Sequence, residues 1–134
     1  MRNFERTIDA VPAWDPYDRN CPTRRLLDRI GDRWTVLVVI TLAEGPLRFS
    51  QITRRIDGIS QKMLTQTLRN LERDGLVTRT IHAEVPPRVE YELTEAGLSL
   101  REPLEALTAW AIAHMGDVLD ARRHHDEGIA EPVA

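Results

Sequence analysis

Residues 58–77 read GISQKMLTQTLRNLERDGLV, and the spacing within this stretch decides the fold. Set at the helical interval of about 100° per residue from Ser60, it has two unlike sides. Leu64, Leu68 and Leu71 fall within about 60° of one another, with Thr67 and Met63 beside them. Lys62, Gln66, Arg69 and Arg73 fall opposite, and Gln61 and Thr65 flank that basic stripe. A solvated face usually intersperses acids with bases. Here Glu72 lies towards the edge and Asp74 towards the buried side. Ser60 is a good N-cap, because its hydroxyl can accept from a first-turn N–H, and Asp74-Gly75 is a typical helix end. A leucine-anchored helix with one row of cations, amides and hydroxyls suits a major groove, where such groups meet phosphates and base edges. The bland counterpart is a helix face that meets only water.

The flanking sequence sharpens that choice. FSQITRRIDG (49–58) predicts a short helix with Phe49, Ile52 and Ile56 on one side, joined to the next through Asp57-Gly58-Ile59. Arg48 and Ser50 open this helix and can touch phosphates, cap it or stay solvated. Downstream, LVTRTIHA (76–83) and RVEYELT (88–94) alternate as strands around EVPP, which predicts a hairpin. Tyr91 and Leu93 alternate with Glu90 and Glu92 and read as its core. Arg88 follows Pro86-Pro87, so it is either a side chain held out towards a minor groove or an ordinary exposed hairpin charge.

Further upstream, a helix around Leu26, Leu27 and Ile30 ends at Gly31. Asp32 can cap the core helix RWTVLVVITLAEG, which Gly45-Pro46 stops. At the other end Thr94 caps a final helix with Leu100, Leu104, Leu107, Ala111 and Val118 near one stripe, Trp110 and His114 beside it, and Pro103 kinking or dividing it. An apolar stripe of this kind needs a second surface, often another subunit. The expected fold class is mainly α with a small β-hairpin wing: a winged helix-turn-helix dimerising through its N- and C-terminal helices. The expected organisation is an N-terminal arm (1–20), the domain (21–119) and a flexible tail (120–134).

Composition sets limits on this reading. The chain of 134 residues is 42% hydrophobic, enough for one real core. Its longest apolar run, residues 36–42, is far short of a membrane span, and the N-terminus has no apolar signal region. A cytoplasmic protein with no membrane partner is expected. The net charge of −3 argues against a nucleic-acid partner, but the charge is unevenly placed. Residues 48–79 hold seven basic and three acidic side chains, whereas residues 95–134 hold eight acids and three arginines. Phosphate binding depends on the local patch rather than the total.

With these elements in place, the sequence resembles the HxlR-type bacterial transcriptional regulators, relatives of the MarR group, over roughly residues 21–118. The resemblance rests on Gly31 to Trp34, Phe49 with Ile52, GIS (58–60) followed by Leu64 and Leu68, LERDGLV (71–77), VPPRVEYELT (85–94) and Trp110. Arg33 stands where lysine is usual in the family, a departure that keeps the charge. The resemblance implies DNA-binding homodimers that repress or activate nearby genes.

Cys21 is the one residue with an evident switching chemistry. As the only cysteine it excludes an intramolecular disulfide and a four-cysteine zinc site. Arg24, Arg25 and a following helix N-terminus favour thiolate, and the resemblance implies sensing of oxidants or electrophiles at a similar place. A buried, inert thiol is the open alternative. His124-His125, His114 and His82 lack acidic or cysteine partners at a recognised metal spacing, so no metal is expected. No phosphate loop or nucleophile motif is present, so neither an enzyme nor a cofactor is expected.

The functional expectation is therefore a homodimeric repressor or activator on a pseudo-palindromic double-stranded DNA operator. Arg48, Ser50, Ser60, Gln61, Lys62, Thr65, Gln66, Arg69 and Arg88 are the candidate contacts, with a redox or small-molecule effector acting on the dimer. The alternative is a winged-helix module that binds protein and not DNA.

Overall fold

A computed structural model describes residues 14–128. Six helices and one hairpin follow in the order α1 (Pro22–Ile30), α2 (Arg33–Leu42), α3 (Phe49–Arg55), α4 (Gln61–Arg73), β1 (Val77–His82), β2 (Arg88–Leu93), α5 (Glu95–Ser99) and α6 (Arg101–Asp126). The expected caps are formed. The Asp32 carboxylate accepts from the Trp34 and Thr35 amides at 3.1 and 3.4 Å, and Ser60 Oγ accepts from the Met63 amide at 3.0 Å. Arg33, the residue that departs from the family pattern, lays its guanidinium 4.6 Å from the Trp34 ring centre.

Helix α2 is the hub. Its Val38, Val39 and Leu42 are buried, and it packs against α1, α3, α4, α6 and β2. Ile52 and Ile56 from α3 and its end, Ile59 from the turn, Leu64, Leu68 and Leu71 from α4, Val77 and Leu104 complete one continuous core. Each such side chain contributes roughly 1.5–3 kcal/mol by leaving water, so α4 is fixed by its leucine seam rather than by helix propensity alone. The turn between α3 and α4 needs Gly58, whose φ of +88° is strained for any side chain, and Ile59 next to it plugs the angle between the helices.

The hairpin is antiparallel, with Val77 opposite Leu93 and His82 opposite Arg88. A feature absent from the sequence reading extends it. Leu47, just before α3, exchanges backbone hydrogen bonds with Tyr91 at 3.0 and 2.8 Å, so β2 is paired on both sides at that point. The wing is thereby tied to the helix-turn-helix as well as to the end of α4.

Thr94 makes a second tie. Its hydroxyl accepts from the Gly97 amide at 3.1 Å and donates to the Gly75 carbonyl at 2.7 Å, joining the start of α5 to the end of α4. Gly97 itself must lack a side chain, because a Cβ there would lie 2.0 Å from the Leu76 carbonyl oxygen.

The C-terminal region meets one expectation and departs from another. The helix is divided at Leu100, and Pro103 accounts for it: its ring and missing N–H deny the Ser99 carbonyl, four positions earlier, its helical partner, while in the first turn of α6 the proline itself is tolerated. The helix then continues to Asp126, so the tail boundary expected after residue 119 lies inside α6. Residues 129–134, and residues 1–13 of the expected arm, fall outside the described part. No helix among the described residues is long and apolar enough to cross a membrane.

Candidate nucleic-acid interface

The two sides of α4 are as unlike in space as they are in sequence. Leu64, Leu68 and Leu71 are at most 2% exposed, and Thr67 beside them is buried. Ser60, Gln61, Lys62, Gln66, Arg69 and Arg73 are exposed, and Thr65 is half-buried at the edge of the face. Gln61 and Arg69 are eight positions apart, so the polar face extends about 12 Å along the axis, enough to follow several base pairs. The Gln66 side-chain amide donates to Asn70 Oδ1 at 3.2 Å, which leaves its oxygen available as an acceptor.

The acids near this face are already engaged elsewhere. Asp74 is held by Arg29 of α1 at 3.0 Å, and Glu72 pairs with Arg79 of β1 at 3.8 Å. Among the described residues Lys62, Arg69 and Arg73 have no ion-pair partner, and their field points outward unopposed. Arg48 and Ser50 are exposed at the start of α3. The Arg48 amide is capped by Gln51 Oε1 at 2.8 Å, so the capping is done by Gln51 and the guanidinium of Arg48 is left over. Arg54 donates to the Ser50 carbonyl at 3.4 Å.

Arg88 stands apart from the other candidates. It lies in the wing, but half-buried and clasped between two carboxylates: Glu84 at 2.9 Å and Glu90 at 3.0 Å. Hydrogen bonding to Glu84 is the main reason its guanidinium holds its proton even more firmly than usual; partial desolvation opposes this, and the charges of Glu84 and Glu90 add to it. Glu90 also meets His82 Nε2 at 2.9 Å. The wing therefore presents an internally compensated cluster where the sequence suggested a protruding cation. The signal was present: positions 88 and 90 share one face of a strand, and Glu84 lies just across the turn.

Cys21 is the N-cap position of α1 and is 3% exposed. The histidines do not converge. His114 stacks on Trp110 at 4.3 Å between ring centres, with Nδ1 2.8 Å from the Trp110 carbonyl. Among the described residues no three potential metal ligands come together.

A helix-turn-helix braced by a hairpin, with a leucine-anchored second helix and an unopposed basic face, defines the DNA-binding winged helix-turn-helix transcriptional regulators. Residues 29–118 match the HxlR-like helix-turn-helix family, and the chain belongs to it. An HTH-type transcriptional regulator of Methanothermobacter thermautotrophicus is 52% identical over 109 residues, covering 75% of this chain and 83% of that relative. Among solved structures, the transcriptional regulator ytfH from Salmonella typhimurium superposes with a TM-score of 0.76 at 38% identity, covering 81% of this chain and 97% of the other. The redox regulator HypR in its oxidized form is similar at a TM-score of 0.64 and 39% identity, covering 69% and 96%. The protein is thus a DNA-binding regulator of transcription and not an enzyme.

Proposed function

We propose that the chain acts in the cytoplasm as a homodimeric repressor or activator that reads a pseudo-palindromic operator through α4. The observation carrying this reading is the opposition on α4 of a fully buried leucine seam and a basic face without ion pairs. Ser60 and Gln61 at the helix start meet the backbone. Lys62, Thr65, Gln66 and Arg69 reach base edges, where an amide matches adenine and a guanidinium matches guanine. Arg48 and Ser50 contact phosphates beside them, and the compensated Arg88 adds little.

Dimerisation is supported by apolar side chains left uncovered at both ends of the fold. Helix α1 has no buried residue and exposes Leu26 and Leu27, while α6 exposes Leu107, Trp110, Ile112 and Leu119. Two α4 helices across a two-fold axis would enter major grooves about 34–36 Å apart. Selection of bound genomic fragments should return inverted repeats of that spacing, and affinity should fall steeply with salt. Duplex affinity insensitive to salt, or a monomer in sedimentation at micromolar concentration, overturns the reading.

Cys21 is proposed as the switch. Its support is its N-cap place at the start of α1 together with the similarity to a redox regulator; at 3% exposed, the thiol reacts only when the start of α1 opens. Hypochlorite or quinone treatment should change operator affinity in the wild type and leave Cys21→Ser unchanged. Equal responses of the two proteins exclude the thiol as the sensor.

A further inference from the structure

A cleft of about 790 Å³ opens where the segment before α1, α1 itself and the C-terminal end of α4 meet. Trp14, Thr23, Arg25, Arg29, Arg73 and Asp74 are among its walls. These residues come from three separate parts of the chain, so only the fold brings them together. Arg29 and Asp74 neutralise each other through two contacts, at 3.0 and 3.2 Å. Arg25 and Arg73 remain, both exposed and neither ion-paired among the described residues. Two like charges lining one concavity repel unless an anion lies between them, and guanidinium forks match phosphate and carboxylate oxygens. The third wall carries an aromatic side chain: Trp14 lines the cleft and is 48% exposed, so it is accessible to a planar ring. The volume suits a small molecule rather than a lone ion.

We propose that this cleft binds a small aryl dianion, its ring against Trp14 and its phosphate or paired carboxylates between Arg25 and Arg73. Arg73 lies twelve positions beyond Gln61, about 18 Å along α4 from the end that enters the groove, which favours a small ligand over the DNA backbone here. The site also has a route to the recognition helix. Asp74 is the C-cap of α4, and a bound anion competes with it for Arg29, loosening the clasp between α1 and α4. That coupling rests on the DNA-binding reading, whereas binding itself does not and is measured without DNA.

The test is calorimetry of the full chain with 1-naphthyl phosphate, using 1-naphthol as the ring alone and inorganic phosphate as the anion alone. One site per chain is expected, with the aryl phosphate at least about tenfold tighter than either part. Arg25→Gln and Arg73→Gln should each weaken it by roughly tenfold, and Trp14→Leu should weaken it while sparing inorganic phosphate. Asp74→Asn should tighten it, because Arg29 is released. Thermal melts check that the variants remain folded: Trp14, Arg25 and Arg73 are exposed, and Asp74 is half-buried in its pair with Arg29. No saturable binding, unchanged affinity in both arginine variants, or inorganic phosphate binding as tightly as the aryl phosphate overturns the proposal. It also fails if the aryl phosphate is inert and the arginine variants lose duplex affinity as Arg69→Ala does, since the cleft is then a backbone contact.

Discussion

Helix α4 and the wing each carry basic side chains to the surface of the same domain, but under opposite electrostatic terms. On α4 the nearby acids are drawn away, Asp74 to Arg29 and Glu72 to Arg79, and the cations of the exposed face are left unmatched. In the wing Arg88 is held by Glu84 and Glu90, and Glu90 also engages His82. An arginine contributes to phosphate binding only in so far as its charge is not already satisfied. A carboxylate partner must be given up before a phosphate can be gained. Equal residue types therefore have unequal value, and the difference lies in which helices and strands supply their neighbours.

The largest expected effect is on the foundation of α4. Leu64→Ala should cost about 2–5 kcal/mol in urea unfolding, because the side chain is fully buried in the core, on the helix that packs against α2. A loss well below that range would mean that α4 is held by something other than its leucine seam. Next comes Arg69→Ala, which should weaken operator binding by roughly tenfold or more with an unchanged melting temperature, read by gel shift at fixed salt. An unaltered affinity would remove Arg69 from the interface. Smaller still, replacing both Glu84 and Glu90 by glutamine should release Arg88. Affinity should then rise by roughly two- to threefold, and the salt dependence should steepen by about one ion. Arg88→Ala alone should change binding by less than about twofold, since its charge is compensated from the start. If Arg88→Ala were as damaging as Arg69→Ala, the contrast between helix and wing would collapse.

The parts of this fold governed by local pattern could be read from sequence. The α4 face followed from the leucine interval, its start from Ser60, its end from Asp74-Gly75, and the hairpin from alternation around two prolines. Contacts between distant positions could not be read in the same way. The Leu47–Tyr91 bridge joins residues whose pairing depends on how α3 turns against the sheet. The Arg29–Asp74 pair spans 45 positions, and it ties α1 to the C-terminal end of α4. Pro103 was legible for the local reason: its ring and missing N–H act on the carbonyl four positions earlier, Ser99, and the helix divides there into α5 and α6. Of the candidate site, the α4 residues were legible because one helix sets them all. Arg88 was not, since its value depends on two side chains that fold over it.

Helix α6 carries a mechanical consequence. Leu104 near its start is buried in the core, while the 22 residues from there to Asp126 extend roughly 33 Å, and Leu107, Trp110, Ile112 and Leu119 along the way are exposed. It is a lever clamped at one end. A rotation of about 10° at the clamp displaces the far end by roughly 6 Å, on the scale of one helical turn. In the proposed dimer the relation also runs backwards. Whatever fixes the distal half of α6 against its partner sets the angle of the clamped end. Through Thr94, which bonds the entry to α5 and the exit of α4 together, it also sets the separation at which the two reading heads arrive.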